Sequence, residues 1–158
     1  MSVPPPVAVA GPDDLDAFLA LAAQVEHWFG PMVDDDGFRA VLDRNLRRGS
    51  ALCVRTPDGA GVRGGLLFRI REPVCRINWL VVSAADRRGG VGRALVTQAT
   101  RRLRGPGVVE VVTFSADHPA AAPSGAPMFY RHLGFTAAQE GDPDRDGPCR
   151  QWFRAAVG

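Results

Sequence analysis

A chain of 158 residues that is 46% hydrophobic and 23% charged has the size and composition of one globular domain, so we expect residues 1–158 to form a single domain. Its formal net charge of +2 is too small to favour a nucleic-acid-binding protein. All 19 basic residues are arginine, and the lack of lysine excludes a Walker-type phosphate loop and a lysine Schiff base.

The cysteines and the lack of long apolar segments bear on location. Cys53, Cys75 and Cys149 lie far apart without a CxxC spacing, and an odd number of cysteines is a poor disulfide framework. The N-terminus lacks the basic patch and apolar run of a signal peptide, and no later segment reaches eighteen apolar residues. We therefore expect a cytoplasmic protein with reduced thiols and no membrane partner.

The first third of the chain predicts two amphipathic helices. The first should begin at Gly11–Asp14, where proline and acidic residues favour a helix start, and end at the Gly30-Pro31 break. The second should end at Gly49, after arginines in its last turn. The apolar positions at helical spacing are Leu15, Phe18, Leu19, Ala22 and Val25 in the first helix and Phe38, Val41, Leu42 and Leu46 in the second.

Three strands are predicted from the middle of the chain, after a short apolar run at residues 7–10. Residues 51–55 and 62–70 read as two strands of a hairpin with its turn at Pro57-Asp58-Gly59. The core of the segment 75–82 is nearly continuously apolar, as expected of a strand covered on both faces.

The remaining elements predict a mixed sheet flanked by helices. A helix at 90–103 leads to a strand at 108–114, and the order strand, helix, strand means that the two strands pair in parallel. A stretch rich in Pro, Ala, Gly and Ser at 119–127 precedes a short helix that Gly134 ends. Two terminal strands are expected around 135–138 and 149–155.

The segment Arg87-Arg88-Gly89-Gly90-Val91-Gly92 joins a predicted buried strand to a predicted helix. Such a junction aims several unpaired backbone N–H groups at one point and forms an anion site. Gly90 and Gly92 would let a diphosphate approach the backbone, although a Gly-x-Gly turn alone also occurs where a chain simply turns. The arginines that could add charge-assisted hydrogen bonds are Arg87, Arg88 and Arg93.

Two motifs resemble those of the GNAT superfamily of N-acetyltransferases. Leu80-x-Val82 followed by Arg87-x-x-Gly90-x-Gly92 is similar to motif A, and Phe129-Tyr130-x-x-Leu133-Gly134-Phe135 is similar to motif B. Both occur in the expected order, and the predicted elements follow the family's order along nearly the whole chain. The resemblance implies an α/β fold (an α+β mixed sheet), mostly antiparallel with a parallel pair formed by the fourth and fifth strands.

The resemblance also implies acetyl-coenzyme A as co-substrate and no metal. The backbone of Leu80, Val81 and Val82 would pair with the pantetheine arm, and Tyr130 would protonate the departing thiolate. His118 stands where many relatives have an asparagine that contacts the coenzyme. The residues implied to hold the pyrophosphate are Arg87, Arg88, Gly89, Gly90, Val91, Gly92 and Arg93.

The acceptor and its base stay open at this point. An alkylamine with a pKa near ~10.4 is almost fully protonated at pH 7, which costs roughly 4 kcal/mol, whereas a peptide α-amino group with a pKa near ~8 needs little help. The expected partner is a small-molecule or peptide amine. The candidate bases are Glu26, His27, Glu110 and His118, and for each of them a solvated or structural role is more common than catalysis.

Other features allow more than one interpretation. Asp34-Asp35-Asp36 could attract a cationic acceptor or stabilise a helix N-terminus, and Trp28 and Phe29 could line an acceptor pocket or belong to the core. Because nothing in the sequence is poised to activate Cys75, direct transfer is preferred to an acyl-enzyme. A non-catalytic coenzyme A sensor and a nucleotide-binding protein are the alternatives. The sequence does not fix the oligomeric state, and only analogy with relatives suggests a homodimer.

Overall fold

The computed structural model describes residues 3–87, 89–114, 125–140 and 150–158. Its elements in chain order are β1 (Ala8–Val9), α1 (Leu15–Ala23), α2 (Glu26–Phe29), α3 (Asp36–Arg48), β2 (Ala51–Arg55), β3 (Val62–Arg71), β4 (Val74–Val82), α4 (Val91–Thr100), β5 (Gly107–Phe114), α5 (Ala126–His132), β6 (Thr136–Glu140) and β7 (Arg150–Val157). Short 3-10 turns at Pro12–Asp14 and Ala84–Asp86 precede α1 and follow β4. The predicted helices and strands have counterparts near their expected positions, but the first predicted helix is divided: α1 ends at Ala23, and the separate α2 follows after a turn at residues 24–25.

The described strands form one mixed sheet in the order β1-β2-β3-β4-β5-β7-β6. Neighbouring strands pair in the antiparallel sense at β1–β2, β2–β3, β5–β7 and β7–β6. The pair β4–β5 is parallel, with Val74 opposite Val108 and Ile77 opposite Val111. This arrangement confirms the predicted fold class, a mixed and mostly antiparallel sheet with one parallel pair.

Packing divides the chain into two compact units. One contains the chain up to Arg69 together with Trp79–Arg101, and the other contains Ile70–Asn78 together with Arg102–Gly158. The first unit therefore holds α1 to α4, with β1, β2 and most of β3. The second unit holds β5 to β7 and α5.

Helices of the first unit pack closely against both faces of β3. A Cβ atom on Gly65 would stand 2.6 Å from the Phe18 ring of α1, and one on Gly64 would stand 2.6 Å from a methyl group of Val91 in α4. Two consecutive positions without side chains thus let a helix approach the strand from each side. The core on the α1 side contains Phe18, Leu19, Leu42, Leu46, Ala51, Cys53 and Leu67.

The ends of α3 follow the predicted signals. The Asp35 carboxylate accepts a hydrogen bond from the Phe38 N–H at 2.7 Å, which caps the first turn. Gly49 ends the helix in the left-handed conformation with φ of +81°. Val41 is a correction to the predicted apolar stripe, because its side chain is exposed at the border of the apolar face.

The second unit contains a charged network on its sheet. Glu110 lies directly opposite Arg76 on β4 and Arg154 on β7, and its carboxylate forms ion pairs with both guanidinium groups, at 2.7 Å and 3.1 Å. The guanidinium of Arg76 also lies 4.9 Å from the centre of the Trp152 ring. These contacts join three neighbouring strands through their side chains.

Burial along β4 is lower than the apolar sequence predicts. Cys75, Ile77 and Val81 are buried, whereas Asn78 is exposed. Successive side chains of a strand point to opposite faces, and the fully buried positions of β4 all belong to one alternation. The expectation that both faces are covered was therefore wrong for this strand.

No helix within the described ranges is both long and apolar enough to span a membrane.

Candidate active site

The turn that follows β4 is held in place by backbone and side-chain hydrogen bonds. The Ser83 N–H donates to the Arg63 carbonyl oxygen on β3 at 2.8 Å, and the Asp86 N–H donates to the Ser83 carbonyl oxygen at 2.9 Å. The Gln24 side-chain oxygen, which follows α1, accepts from the Ala84 N–H at 3.0 Å. The path of the chain from β4 towards α4 is thus fixed by contacts with two other segments.

The start of α4 has the geometry of an anion site. Gly90 occupies the N-cap position with φ of +82°, a conformation that glycine adopts without strain. The Ala94 N–H donates to the Gly90 carbonyl oxygen at 3.0 Å and begins the helical bonding pattern. The N–H groups of Val91, Gly92 and Arg93 therefore have no acceptor within the helix and point out of its N-terminal end.

The chain around this helix start is open and carries positive charge. Arg87 and Arg93 are exposed, as are Gly89 and Gly90. A side chain at Gly89 would meet the Asp86 carbonyl oxygen at 3.3 Å, so the turn is tight at that point. N–H donors, a glycine N-cap and nearby guanidinium groups together fit a diphosphate.

The predicted coenzyme residues of the first unit thus occupy one continuous strand, turn and helix start. Val81 is buried in the cluster that contains Leu21 and Ala22, whereas Leu80 and Val82 are half-buried. Arg88 and His118 lie outside the described residues, as do Pro119 to Ser124 and Cys149.

An arginine that the sequence did not single out adjoins the same turn. The Arg63 Nε donates to the Asp86 carboxylate at 2.9 Å. Its Nη2 lies 3.8 Å from the place that a Cβ atom on Gly89 would occupy. Arg63 belongs to β3, and no local sequence pattern connects that strand with the turn after β4.

Tyr130 belongs to the second unit, where it lies on α5 in an aromatic cluster. Its ring stacks on Phe153 with centroids 6.0 Å apart, and it also contacts Phe129 and Phe135 at 5.1 Å and 5.5 Å. Burial raises the pKa of the Tyr130 hydroxyl above its ordinary value. A phenol is already protonated at neutral pH at its ordinary pKa of about 10, so burial maintains the state that a proton donor requires without creating it.

The two carboxylates that the sequence offered as bases already have structural partners. One oxygen of Glu26 accepts hydrogen bonds from the Met32 N–H at 2.6 Å and the Val33 N–H at 3.2 Å. Glu110 is bound by the two arginines described above, with only 9% of its side chain exposed. His27 is exposed on α2.

Cys75 is a poor nucleophile in this structure. Burial raises the pKa of its thiol to about 11, so the reactive thiolate is scarce at neutral pH. This agrees with the preference for direct transfer over an acyl-enzyme.

Trp79 is a second feature that sequence reasoning missed. Its ring lies beside Phe18 and Phe38, with centroid distances of 6.0 Å and 5.8 Å. The indole Nε1 is buried and has no hydrogen-bond partner among the described residues. A buried donor without an acceptor costs about 1–3 kcal/mol. The side chains of Trp28 and Phe29, the other aromatic candidates, lie outside the described part of the chain.

Comparison with known proteins assigns the family. The profile of the GNAT acetyltransferase domain matches residues 47–137, more than half of the chain, and this range contains both the start of α4 and Tyr130. The chain belongs to the GNAT acetyltransferase family. The comparison with curated proteins gives no match.

Solved structures of GNAT acetyltransferases have the same fold. An acetyltransferase of the family from Bacillus cereus aligns with a TM-score of 0.70 at 15% identity, covering 95% of each chain. Ard1 from Thermoplasma volcanium gives 0.70 at 18% identity, covering 98% of this chain and 99% of its own. The PaiA N-acetyltransferase from Thermoplasma acidophilum, solved in complex with coenzyme A, aligns with a TM-score of 0.71 at 12% identity. The alignment covers 99% of this chain and 100% of PaiA. At these identities the likeness shows the fold alone.

Proposed function

We propose that this GNAT acetyltransferase binds acetyl-coenzyme A and transfers its acetyl group directly to a primary amine of a small molecule or a peptide. The observation that carries the proposal is the start of α4, where a glycine N-cap leaves the N–H groups of Val91 to Arg93 without an acceptor within the helix, beside the exposed Arg87 and Arg93. The structural similarity to PaiA, which was solved with coenzyme A, supports the choice of ligand.

In this proposal the first unit binds the coenzyme mainly through its backbone. The N–H groups of residues 88–93 donate to the diphosphate oxygens, and Arg87 and Arg93 supplement them with charge. The backbone of Leu80–Val82 pairs with the pantetheine arm, and its N–H groups polarise the acetyl carbonyl. His118 donates a further hydrogen bond to the coenzyme.

Transfer then requires two proton movements. The amine nitrogen attacks the acetyl carbon, the C–S bond breaks, and the sulfur takes a proton from the Tyr130 hydroxyl. The amine releases one proton to solvent as the amide forms, and the Tyr130 phenolate takes one proton from solvent, which restores its hydroxyl. Since Glu26 and Glu110 are engaged in structural contacts, we propose that the amine reacts from its neutral fraction without a carboxylate base. Accordingly, kcat/KM should rise with pH up to the pKa of the amine.

A thiol-release assay tests the reaction. Acetyl-coenzyme A is supplied with polyamines, aminoglycosides, amino acids and peptide N-termini, and free coenzyme A is measured for each. Release with at least one amine supports the proposal. Tight binding of acetyl-coenzyme A without release for any amine would instead indicate the non-catalytic sensor, and tighter binding of ATP would indicate the nucleotide-binding protein.

A second set of measurements tests whether any group of the protein, a carboxylate or His27, takes the proton of the amine. The pH profile of kcat/KM is compared for the wild type and His27→Ala, using one amine with a pKa near ~8 and one near ~10. We expect the midpoint to follow the amine in both proteins. A midpoint that is independent of the amine would show that a group of the protein takes the proton.

A further inference from the structure

The Arg63 side chain connects β3 with the turn that precedes α4. Its Nε donates to the Asp86 carboxylate at 2.9 Å, and its own carbonyl oxygen accepts from the Ser83 N–H at 2.8 Å. The pair is neither fully buried nor fully exposed, since 29% of the Arg63 side chain and 26% of the Asp86 side chain are accessible. Arg63 therefore contacts both ends of the short segment Ser83–Asp86.

The Nη2 group of the guanidinium lies next to the glycine turn. A Cβ atom on Gly89 would stand 3.8 Å from the Arg63 Nη2 and 3.3 Å from the Asp86 carbonyl oxygen. A guanidinium presents five N–H donors in a flat fork, and a bond from Nε leaves the donors of the Nη groups for a second anion. Glycine at position 89 keeps a side chain out of this space.

The charge of Asp86 explains why a cation is needed there. A carboxylate three residues before Gly89 lies close to the helix start that binds the diphosphate in the proposed function. The negative charges of the Asp86 carboxylate and the diphosphate repel each other, which disfavours binding. The Arg63 guanidinium compensates the Asp86 charge. The ion pair thus leaves the turn without an uncompensated negative charge.

We propose that Arg63 is a diphosphate-binding residue of the coenzyme site, with Nε bound to Asp86 and its Nη groups donating to a diphosphate oxygen. This inference rests on the proposed function, because it concerns the same ligand. It assigns to β3 a contact with the coenzyme that neither motif of the sequence contains. A residue that only holds the turn in place would form the same ion pair with Asp86. The test must therefore separate direct binding of the diphosphate from structural support of the turn.

Two ligands show whether the loss of affinity is confined to the part of coenzyme A that carries phosphate groups. Coenzyme A carries the diphosphate, and pantetheine contains the same arm without phosphate groups. Dissociation constants of both ligands are measured for the wild type and for Arg63→Met. We expect the Kd for coenzyme A to rise about 10- to 30-fold, the usual effect of losing a hydrogen bond to a charged group, and the Kd for pantetheine to stay unchanged.

A second substitution tests charge compensation. In Arg63→Met the Asp86 carboxylate is left without its partner, so Arg63→Met/Asp86→Asn should recover part of the lost affinity for coenzyme A. Arg69→Met, which removes an exposed arginine from the same strand, is the matched control and should change neither Kd. Arg63→Lys, which keeps the charge without the fork, should give an intermediate Kd and serves if Arg63→Met does not fold.

The outcomes distinguish this inference from the proposed function. If the wild type does not bind coenzyme A, the proposed function fails. If the wild type binds it and Arg63→Met binds it equally well, Arg63 has no role in binding. A loss of affinity for coenzyme A that Asp86→Asn does not recover, whether or not pantetheine binding also weakens, would leave Arg63 as a clamp of the turn and overturn the inference.

Discussion

Tyr130 is the residue on which the proposed chemistry depends most directly. Its ring is buried in the aromatic cluster of α5 and β7, and its hydroxyl is protonated at neutral pH, as that of an ordinary tyrosine is. Tyr130→Phe keeps the ring and removes the proton, so we expect kcat to fall about 100-fold, the lower end of the range for general acid catalysis. The Kd for acetyl-coenzyme A should stay the same. Steady-state kinetics and a binding titration measure the two quantities.

The control for this variant is an acetyl donor whose thiol leaves without protonation by a general acid. A thioester whose leaving thiol has a lower pKa departs readily as a thiolate, so its rate of transfer should depend less on Tyr130. Equal turnover of wild type and Tyr130→Phe with acetyl-coenzyme A would remove Tyr130 from the mechanism.

Single residues differ in how well the sequence predicts their roles. The conformations of Gly49 and Gly90 follow from local signals, since each glycine adjoins an apolar helical stripe. The roles of Arg63, Glu26 and Glu110 depend on partners that come from other segments. Arg76, for example, meets Glu110 only because β4 and β5 pair in one particular register. Spacing along the chain does not contain that information.

Among the elements, β3 has two consecutive glycines that leave no space for a side chain. Gly65→Ala places a Cβ atom 2.6 Å from the Phe18 ring, so α1 or the strand must shift. We expect the free energy of unfolding to fall by about 1–3 kcal/mol, as for other overpacked cores. Chemical denaturation measures this loss.

Gly61→Ala is the matched control for Gly65→Ala. Its Cβ atom would lie 3.6 Å from the Thr56 methyl group, an ordinary contact, so we expect a change within about 0.5 kcal/mol. Phe18→Leu should cost less in the Gly65→Ala background than in the wild type, because the smaller side chain relieves the crowding. Equal costs in the two backgrounds would contradict the proposed clash.

The turn before α1 should make stability depend on pH. Asp14 accepts hydrogen bonds from Arg55 at 2.7 Å and 3.1 Å, which hold its pKa below the ordinary value. The Gly11 N–H donates to the same carboxylate. Because the folded pKa is the lower one, this contribution is complete above the unfolded pKa of about 3.9 and is lost as pH falls through the folded pKa.

Asp14→Asn tests this dependence. At pH 7 we expect the variant to be less stable than the wild type by about 1 kcal/mol, and the difference should disappear in acid as Asp14 becomes protonated. Urea denaturation at a series of pH values measures the difference. Asp13→Asn, which changes an exposed neighbour, should have a smaller effect at every pH. A difference that persists in acid would exclude the ionic contribution.

Elements were predictable where one local pattern dominates. The segment from β4 to α4 combines an apolar strand, two adjacent glycines and a helical stripe, and the structure places all three as expected. Burial along β4 was not predictable, because apolar residues alone do not reveal which face another layer covers. The exposure of Val41 has the same origin, since it lies at the border of its stripe.

For the whole molecule, we propose that residues 1–158 unfold as one domain. The strands β3 and β4 each have residues in both compact units, so neither unit contains the whole of either strand. Calorimetry should therefore show one transition, with equal calorimetric and van't Hoff enthalpies. Two separable transitions would show that the units fold independently.

The glycine pair of β3 has a mechanical consequence. Between Phe18 of α1 and Val91 of α4, positions 64 and 65 of the strand are bare backbone. Elsewhere in a core, a side chain can change its rotamer when a neighbouring element is displaced. Gly64 and Gly65 have no side chains that could adjust in this way. We therefore expect a displacement of α1 at Phe18 to reach the first turn of α4 directly through the backbone of β3.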